Sequence, residues 1–400
     1  MRISQVNAVY GFGSTGTIVK NLQSMCKQVG IDFEVIYSQS NGEVVDGYHI
    51  GNFISNKLHA LLTRIAGKQG YFSFFSTIRL IKHYDLYKPD IIHLHNLHGS
   101  YINLPMLLRY SAKKSIPVVV TLHDCWFYTG GCSHYTHSNC FKWKESCGNC
   151  PQRYMEFKSL FYDASSSKLR DREQLFGEIN NLTAVGVSKW ITEEASYKVF
   201  KNARCVTIYN GIDVDFFHPV VNDFRKNNNF EGKFLILAPA NKWFLEINKE
   251  TLQYFASQLT DDMRMVFIGN GVDKNRLTDK MINLGFVSSR EEIRDIYSAC
   301  DVMVNCTREE SLSLLNVEVQ ACGTPVITYS NTGVKETVDG KCGIAVENGN
   351  FKEAWNATMQ IFSHGKTFYT DACQQWVKDV FDYRKNYLDY LMLYKSLIEI

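Results

Sequence analysis

Two glutamates, Glu310 and Glu318, stand eight residues apart in the stretch CTREESLSLLNVEVQACGTPVITYS, Cys306 to Ser330. The stretch reads as strand, loop, helix, glycine stop and strand. On that reading Glu318 lies inside the helix and Glu310 in the loop before it. The loop amides of Ser311, Leu312, Ser313 and Leu314, with the positive end of the helix dipole, make an anion site at the carboxyl end of a strand. A carboxylate beside an anion site makes sense for a ligand that carries hydroxyls as well as phosphate, because carboxylates accept hydrogen bonds from sugars. One acid then holds a ribose and the other a hexose. The alternative is a pair of solvated helix-end acids.

A second candidate is YGFGSTGTIVKNL, Tyr10 to Leu22, in which Gly11, Gly13 and Gly16 fit G-x-G-x-x-G between the strand-like RISQVNAV and a helix. A dinucleotide site also needs an acid at the end of the second strand, to bind a ribose hydroxyl. That strand end carries Ser38 and Gln39; Glu43 comes too late and Glu34 sits at the wrong end. The fingerprint is incomplete. Two other readings stand: a tight turn that lets helix and strand pack, or backbone amides and a helix N-terminus set against a phosphate or sugar. In HLHNLHG, His93 and His95 share one strand face. No acid or cysteine accompanies them nearby, so they read as polar residues lining a binding cleft rather than as metal ligands. Cys132, Cys140, Cys147 and Cys150 fall in CSHYTHSNCFKWKESCGNC, with the CxxC at 147–150 as its tight half. Tetrahedral zinc suits four such thiolates in a reducing compartment. Cys125 and His134 compete as ligands, and free thiols or a disulfide are the alternatives.

The elements that must position these residues alternate strand and helix almost throughout. RISQVNAV, FEVIYS, DIIHLH, IPVVVTLH, TAVGVS and CVTIYN read as strands of a first run, and KFLILAP, MRMVFIG, DVMVNC and TPVIT as strands of a second. The helix after the first strand carries Ile18, Leu22, Met25, Cys26 and Val29 on one face and closes at Gly30. Near 210–232 the pattern lapses into a turn-rich, polar segment. The expected organisation is a first doubly wound α/β domain over 1–210 with a Cys-rich loop at 125–151, a linker at 211–232, and a second such domain over 233–375. C-terminal helices at 376–400 then pack back toward the first domain. In such sheets ligands bind beyond the carboxyl ends of the strands, so two facing domains predict a cleft.

Composition sets bounds on the rest. The 400 residues are 45% hydrophobic and 21% charged, with a net charge of +2. That is the balance of a globular protein of two domains, and it argues against general nucleic-acid binding. No apolar run reaches the ~18–20 residues of a membrane span. The N-terminus enters a strand directly, so the expected location is the cytoplasm. Twelve cysteines in a chain of this length point to reduced thiols or a metal site.

These stretches resemble family-4 retaining glycosyltransferases of the GT-B fold, over nearly the whole chain. GSTGTIVKNL looks like their first glycine loop, and TLHD, Thr121 to Asp124, like the segment that holds their active-site histidine. YNGID, Tyr209 to Asp213, resembles the entry to their linker, and REESLSLLNVEVQACGTPVI their E-x7-E signature. LHDCWFYTGGC…CGNCPQ narrows the resemblance to the branch with colanic-acid and other bacterial surface-polysaccharide transferases. The resemblance implies that Glu310 meets the donor sugar and Glu318 the ribose. It places the glycine loops of both domains, with Gly13, Gly16 and Gly269, beside the diphosphate. The family's Arg and Lys after the first strand of the second domain are matched less well. In LAPANKWFLEINKETLQYF the best lysine match is Lys249, and Lys242 is the only nearby substitute for the arginine. Ser313 stands where the family's signature has glycine.

The implied reaction moves a hexose from a UDP- or GDP-sugar to a glycan or lipid-linked saccharide, with retention and without a catalytic metal. Fixed dipoles and lysines offset the diphosphate, and the leaving phosphate acts as base. The acidic pair in DVD, Asp213 and Asp215, falls in the linker and is not read as a metal site. His123, at the carboxyl end of IPVVVTL, faces the cleft and hydrogen-bonds sugar or acceptor. The implied acceptor is a polyprenyl-diphosphate-linked sugar. From Gly47 to Tyr84 there is no acid, while Lys57, Arg64, Lys68, Arg79 and Lys82 alternate with apolar residues. That pattern suits peripheral contact with an anionic membrane through 53–84. The alternative makes Leu58, Leu61, Leu62 and Ile65 core residues. A sugar-nucleotide epimerase, an NAD-dependent oxidoreductase and a non-catalytic sugar-nucleotide binder are the rival functions.

Overall fold

The computed structural model describes residues 1–398 apart from 43, 44 and 157, so the Glu43 weighed above lies outside the described residues. The chain divides into two compact units. The first holds Met1–Ile208 together with the chain from Tyr387 onward, and the second holds Tyr209–Asn386.

In the first unit the strands are β1 (Arg2–Val6), β2 (Val9–Tyr10), β3 (Asp32–Tyr37), β4 (Gln39–Ser40), β5 (Gly47–His49), β6 (Ile91–Leu94), β7 (Val118–Leu122), β8 (Leu182–Gly186) and β9 (Arg204–Thr207). Among the described residues a seven-stranded parallel sheet runs β5-β3-β1-β6-β7-β8-β9. The register sets Ile3 of β1 between Phe33 of β3 and Ile91 of β6. Every residue of β7 is buried, as expected of VVVTL in a parallel sheet covered on both faces. The crossovers are α1 (Gly13–Gln28), α2 (Phe53–Ala66), α3 (Phe74–Tyr87), α4 (Leu104–Lys114), α5 (Ser165–Gly177) and α6 (Lys189–Ala195). Helix α1 buries Ile18, Leu22 and Cys26 as its period predicts; Val29 is its exposed C-cap, and Gly30 ends it at φ +77.

Helix α2 decides between the two readings of its leucines. It buries His59 and Thr63, while Leu58, Leu61 and Ile65 are exposed. The reading of those leucines and Ile65 as core is therefore overturned. His59 is held inward because its Nδ1 meets Ser73 Oγ at 2.7 Å and its Nε2 accepts from the Gly70 amide at 3.2 Å. Those bonds fix the rotation of the helix about its axis.

The second unit contains α7 (Phe224–Asn227), β10 (Phe234–Pro239), α8 (Ala240–Trp243), α9 (Lys249–Gln258), β11 (Met263–Ile268), β12 (Met281–Gly285), α10 (Arg290–Ala299), β13 (Val302–Asn305), α11 (Leu314–Ala321), β14 (Val326–Tyr329), β15 (Gly343–Val346), α12 (Phe351–His364) and α13 (Thr367–Val380). Its parallel sheet is ordered β12-β11-β10-β13-β14-β15. The edge strands β12 and β15 had no counterpart in the sequence reading. The segment read as a linker, 211–232, is packed into this unit. Arg225 donates to the Ala299 and Lys233 carbonyls and pairs with Asp301 at 2.7 Å. Of the C-terminal residues, α13 stays in the second unit. Only the part of α14 (Tyr383–Ile398) from Tyr387 onward belongs to the first.

Candidate active site

Both sheets reverse strand order beside their first strand. In the second unit the reversal falls between β10 and β13, in the first between β1 and β6. Crevices at such points, beyond the carboxyl ends of the strands, are where open α/β sheets bind ligands.

In the second unit β13 leads into the loop Cys306–Ser313 and then α11. Buried Asn305 fixes both ends of that loop. Its Nδ2 donates to Ser313 Oγ at 3.2 Å and to Asn316 Oδ1 at 2.8 Å, and its Oδ1 accepts from the Thr307 amide at 3.2 Å. Asn316 in turn donates to Thr337 Oγ1 at 2.9 Å. Thr332, with φ +43, clamps Glu310 from the other side. Its hydroxyl accepts from the Glu310 amide at 3.3 Å and donates to the Glu310 carbonyl at 2.8 Å. The Glu310 backbone is therefore fully bonded, while its side chain is not. One carboxylate oxygen, Oε2, is buried with no hydrogen-bond partner among the described residues, and so is the Ser311 hydroxyl. An acceptor and a donor left open on consecutive residues suit a polyhydroxylated ligand, since buried polar groups are otherwise paired.

Glu318 lies one turn into α11, half-buried. Loss of solvent pushes its carboxyl up to about 7, opposed by the charge of Arg290 and a hydrogen bond from Tyr297. Arg290 itself lies 4.2 Å from the centroid of the Phe216 ring. Leu312 and Ser313 are buried, and Ser313 is the N-cap of α11 without a side-chain cap bond, since its hydroxyl is engaged by Asn305.

The lysines separate. Lys242 lies in α8, directly beyond β10. That helix is pinned by Trp243, whose Nε1 donates to the Val304 carbonyl at 2.8 Å. The charge of Lys242 reaches Cys306, at the start of the site loop. Lys249 opens α9 as an exposed residue. It pairs with Glu246 at 3.4 Å and faces a groove of about 720 Å³ shared with Asp273 and Arg276. Gly269 ends β11 with φ +97 and open space where a Cβ would be, and its amide donates to the Gly285 carbonyl at 2.7 Å. The structure thus gathers Glu310, Ser311–Leu314, Glu318, Lys242 and Gly269 at the carboxyl ends of β11, β10 and β13. Lys249 follows Asn248, whose side chain donates to the Cys306 carbonyl at 3.0 Å at the start of the site loop. A guanidinium that sequence reasoning missed, Arg308, donates to Asn248 Oδ1 at 3.0 Å and to the Ile247 carbonyl at 3.4 Å. It ties the site loop to the start of α9. Its only signal was its place two residues ahead of Glu310.

In the first unit Gly13 opens α1 with φ +64 and no atom near an added Cβ, so the turn is open to a ligand. Gly16 has the packing role: its Cβ would lie 3.1 Å from Val9 Cγ2 and 3.3 Å from the Gly11 amide nitrogen. Glu34, at the start of β3, is spent on Ser4 and His83, which removes it from any ribose site. His123 follows β7, and its Nε2 lies 2.9 Å from His95 Nδ1. Burial holds both imidazoles below the usual histidine range, His123 at about 4, so they are neutral near pH 7. His95 Nε2 is buried with no hydrogen-bond partner among the described residues. Next to this pair, burial disfavours the charge of His98, but Asp124 at 3.0 Å outweighs it and raises the imidazole above its ordinary value. His93 does not line a cleft, contrary to expectation. It is fully buried between Tyr394 and Thr121, each at 2.7 Å.

Two Rossmann-like parallel-sheet units of this kind, each with polar loops at its switch point, define the GT-B class. Solved structures agree over almost the full chain. Sucrose-phosphate synthase from Thermosynechococcus elongatus matches with a TM-score of 0.67 at 16% identity, over 100% of this chain and 99% of that one. Anabaena HepE, solved in complex with UDP, matches with a TM-score of 0.67 at 16% identity, over 99% and 100%. Residues 15–216 match the model of Glycosyltransferase Family 4, and residues 238–364 that of Glycosyl transferases group 1. The chain belongs to Glycosyltransferase Family 4. A relative in Escherichia coli (strain K12), named as the colanic acid biosynthesis glycosyl transferase WcaC, is 23% identical over 361 residues, covering 84% of this chain and 78% of its own.

Proposed function

We propose that this glycosyltransferase moves a hexose, with retention, from a UDP- or GDP-sugar to a lipid-linked saccharide in bacterial surface-polysaccharide synthesis. The observation that carries the reading is the open oxygen of Glu310 and the open hydroxyl of the next residue, Ser311, in the loop held at the switch point by Asn305 and Thr332. Glu310 accepts hydrogen bonds from the donor hexose, and Glu318 from the ribose. The α11 N-terminus and Lys242 stabilise the charge that develops on the diphosphate. The acceptor oxygen bonds to the anomeric carbon on the face that the nucleotide leaves. The C–O bond to the diphosphate breaks, and the acceptor proton passes to the departing phosphate oxygen. No step calls for a catalytic metal. HepE, also solved with UDP-glucose, supports the donor class, and the relative named for colanic acid biosynthesis supports the setting. Neutral His123 hydrogen-bonds donor or acceptor.

Helices α2 and α3 support an acceptor held at a membrane. Phe53, Ile54, Leu58 and Leu61 on α2 and Phe74 and Phe75 on α3 are exposed, with Lys57, Arg64, Arg79 and Lys82 exposed among them. The Leu160 amide donates to the Arg64 carbonyl at 2.7 Å, which adds exposed Leu160 and Phe161 to the patch. Apolar side chains interleaved with cations bind the anionic headgroup boundary. The test of the activity is a panel of UDP- and GDP-sugars with purified protein, followed by product analysis. Donor hydrolysis or transfer with the anomeric configuration kept is the expected result. An epimerised donor formed without any acceptor, or inversion at the anomeric carbon, overturns the reading.

A further inference from the structure

The first unit contains a cluster that sugar transfer does not use. Between β7 and α5 the described residues are largely irregular, with one short turn of 3-10 helix at Lys142–Lys144 among them. In this loop Cys132, Cys140, Cys147 and Cys150 line one pocket, with room of about 10 Å³, enough for a single water-sized sphere. The backbone amides of Gly130 and Gln152 lie near two of the sulfurs, Cys147 Sγ and Cys150 Sγ. Gly130 has no room for a side chain. A Cβ there would sit 2.8 Å from Cys147 Sγ and 2.7 Å from the Ser165 carbonyl oxygen. Gly148, inside the CxxC, has φ +141, and Asn149 has φ +47. This left-handed turn folds the chain back between the two cysteines. The competitors Cys125 and His134 are not among the residues that line this pocket. Cys125 faces Tyr128 and Tyr135, and His134 faces Asp124.

The surrounding charge points to what fills the pocket. Lys168 and Arg172, one turn apart on α5, are both fully buried. Lys168 lies in the field of Cys132 and Cys150, and Arg172 in that of Cys132 and Cys147. Two acids lie in the same field, Asp163 near Lys168 and Asp124 near Arg172. Asp163 accepts from the Cys150 and Ser165 amides at 2.7 and 2.9 Å, and Asp124 holds His98. Arg172 also donates to the Trp126 and Thr129 carbonyls and lies over the Trp126 ring. Four thiolates around a divalent ion carry a net charge of −2, which two cations match.

We propose that Cys132, Cys140, Cys147 and Cys150 bind one zinc ion as four thiolates, with Lys168 and Arg172 as its charge-matching partners. Binding displaces four thiol protons for one Zn²⁺, so no oxidant or reductant is needed. As the side chains stand, no group of three or more His, Cys, Asp or Glu among the described residues is set to hold a metal. Closure on the ion therefore requires the sulfurs to swing about χ1. The centre is structural, because four protein ligands leave no open position. It anchors the loop that leaves β7 through His123 and Asp124.

Full-length protein, purified under reducing conditions from zinc-supplemented cells, should contain about one zinc per chain. Its cobalt-substituted form should show the charge-transfer and intense visible bands of tetrahedral thiolate coordination. Cys147→Ser should lose the metal. Lys168→Gln should keep the fold by circular dichroism and weaken zinc about 10–100-fold, the scale of outer-sphere partners. Less than a tenth of an equivalent of zinc, or a disulfide among the four cysteines under reducing conditions, overturns the site. Unchanged zinc affinity in Lys168→Gln overturns the charge matching. Should Cys147→Ser prove insoluble, the cobalt spectrum and thiol count of the unmodified chain still decide the outcome.

Discussion

Glu310 combines a backbone with every bond made and a carboxylate with one oxygen left open. Removing the side chain therefore takes no hydrogen bond from the folded chain. Glu310→Ala should leave thermal stability within about 0.5 kcal/mol of the parent, or raise it. Transfer should fall about 10²–10³-fold, the scale for losing one group aimed at the reacting sugar. A parent-like rate in a donor-consumption assay would refute the assignment. Glu318 gives a pH signature. Its carboxyl is held near 7 by burial, and a ribose hydroxyl that donates to it favours the ionised form. Nucleotide affinity should rise with pH through about 7 and then level off, and Glu318→Gln should flatten that profile. Isothermal titration across pH 5.5–8.5 checks it. For the unliganded chain the sign is opposite. The folded carboxyl titrates above its unfolded value, so its contribution is greatest below the ordinary carboxylate range and is lost as pH rises to about 7.

The site loop depends on the network that runs from β13 to α11. Asn316 receives Asn305 and donates to Thr337, and its carbonyl accepts from Gln320 at 2.9 Å. Asn316→Ala leaves the buried Asn305 amide and the Thr337 hydroxyl each short of a partner. It should cost about 1–3 kcal/mol in urea unfolding and lower turnover along with stability. Helix α2 gives the converse case, since its apolar face is largely exposed. Phe53→Ser with Ile54→Ser should leave melting unchanged, because both side chains are exposed. In a vesicle sedimentation assay the same pair should abolish binding. Lys57, Arg64 and Lys68 changed together to Glu should abolish the preference for anionic vesicles. Equal binding to neutral and anionic vesicles would sink membrane docking through this face.

At the scale of the molecule, the chain builds one unit, then the other, and returns to the first with the end of α14. Tyr390 and Tyr394 from that return bond Thr121 at 2.9 Å and His93 at 2.7 Å, inside the first unit. Tyr394→Phe leaves His93 Nδ1 buried and unbonded. It should destabilise the first unit by about 1–3 kcal/mol while leaving nucleotide affinity at the second unit unchanged. Differential scanning calorimetry with and without nucleotide separates the two. A loss of nucleotide affinity in Tyr394→Phe would show that the units do not respond separately.

The amino-acid sequence by itself determined the inner strands, the two-unit α/β plan and the site loop. Runs such as VVVTL and FLILAP have only one low-energy place, inside a parallel sheet, and the loop from Glu310 to Leu314 follows from where strand and helix must meet. The tertiary structure alone decided four further matters. Among the edge strands, β12 is interrupted by Asn283 and β15 is only the four residues GIAV, and each is a strand because a neighbour supplies its hydrogen bonds. The segment 211–232 looked like a linker because it is polar, yet Arg225 binds it to the second unit through main-chain carbonyls that periodicity cannot register. The outward turn of Leu58 and Leu61 follows from two hydrogen bonds to His59, made by residues 70 and 73. Lys249 matched the family's lysine and Lys242 stood in for its arginine, and only the path from β10 through α8 to α9 decided that Lys249 pairs with Glu246 at the edge of a groove. Local pattern fixes what a segment prefers to become; which face it turns, and toward which partner, depends on bonds to residues far along the chain.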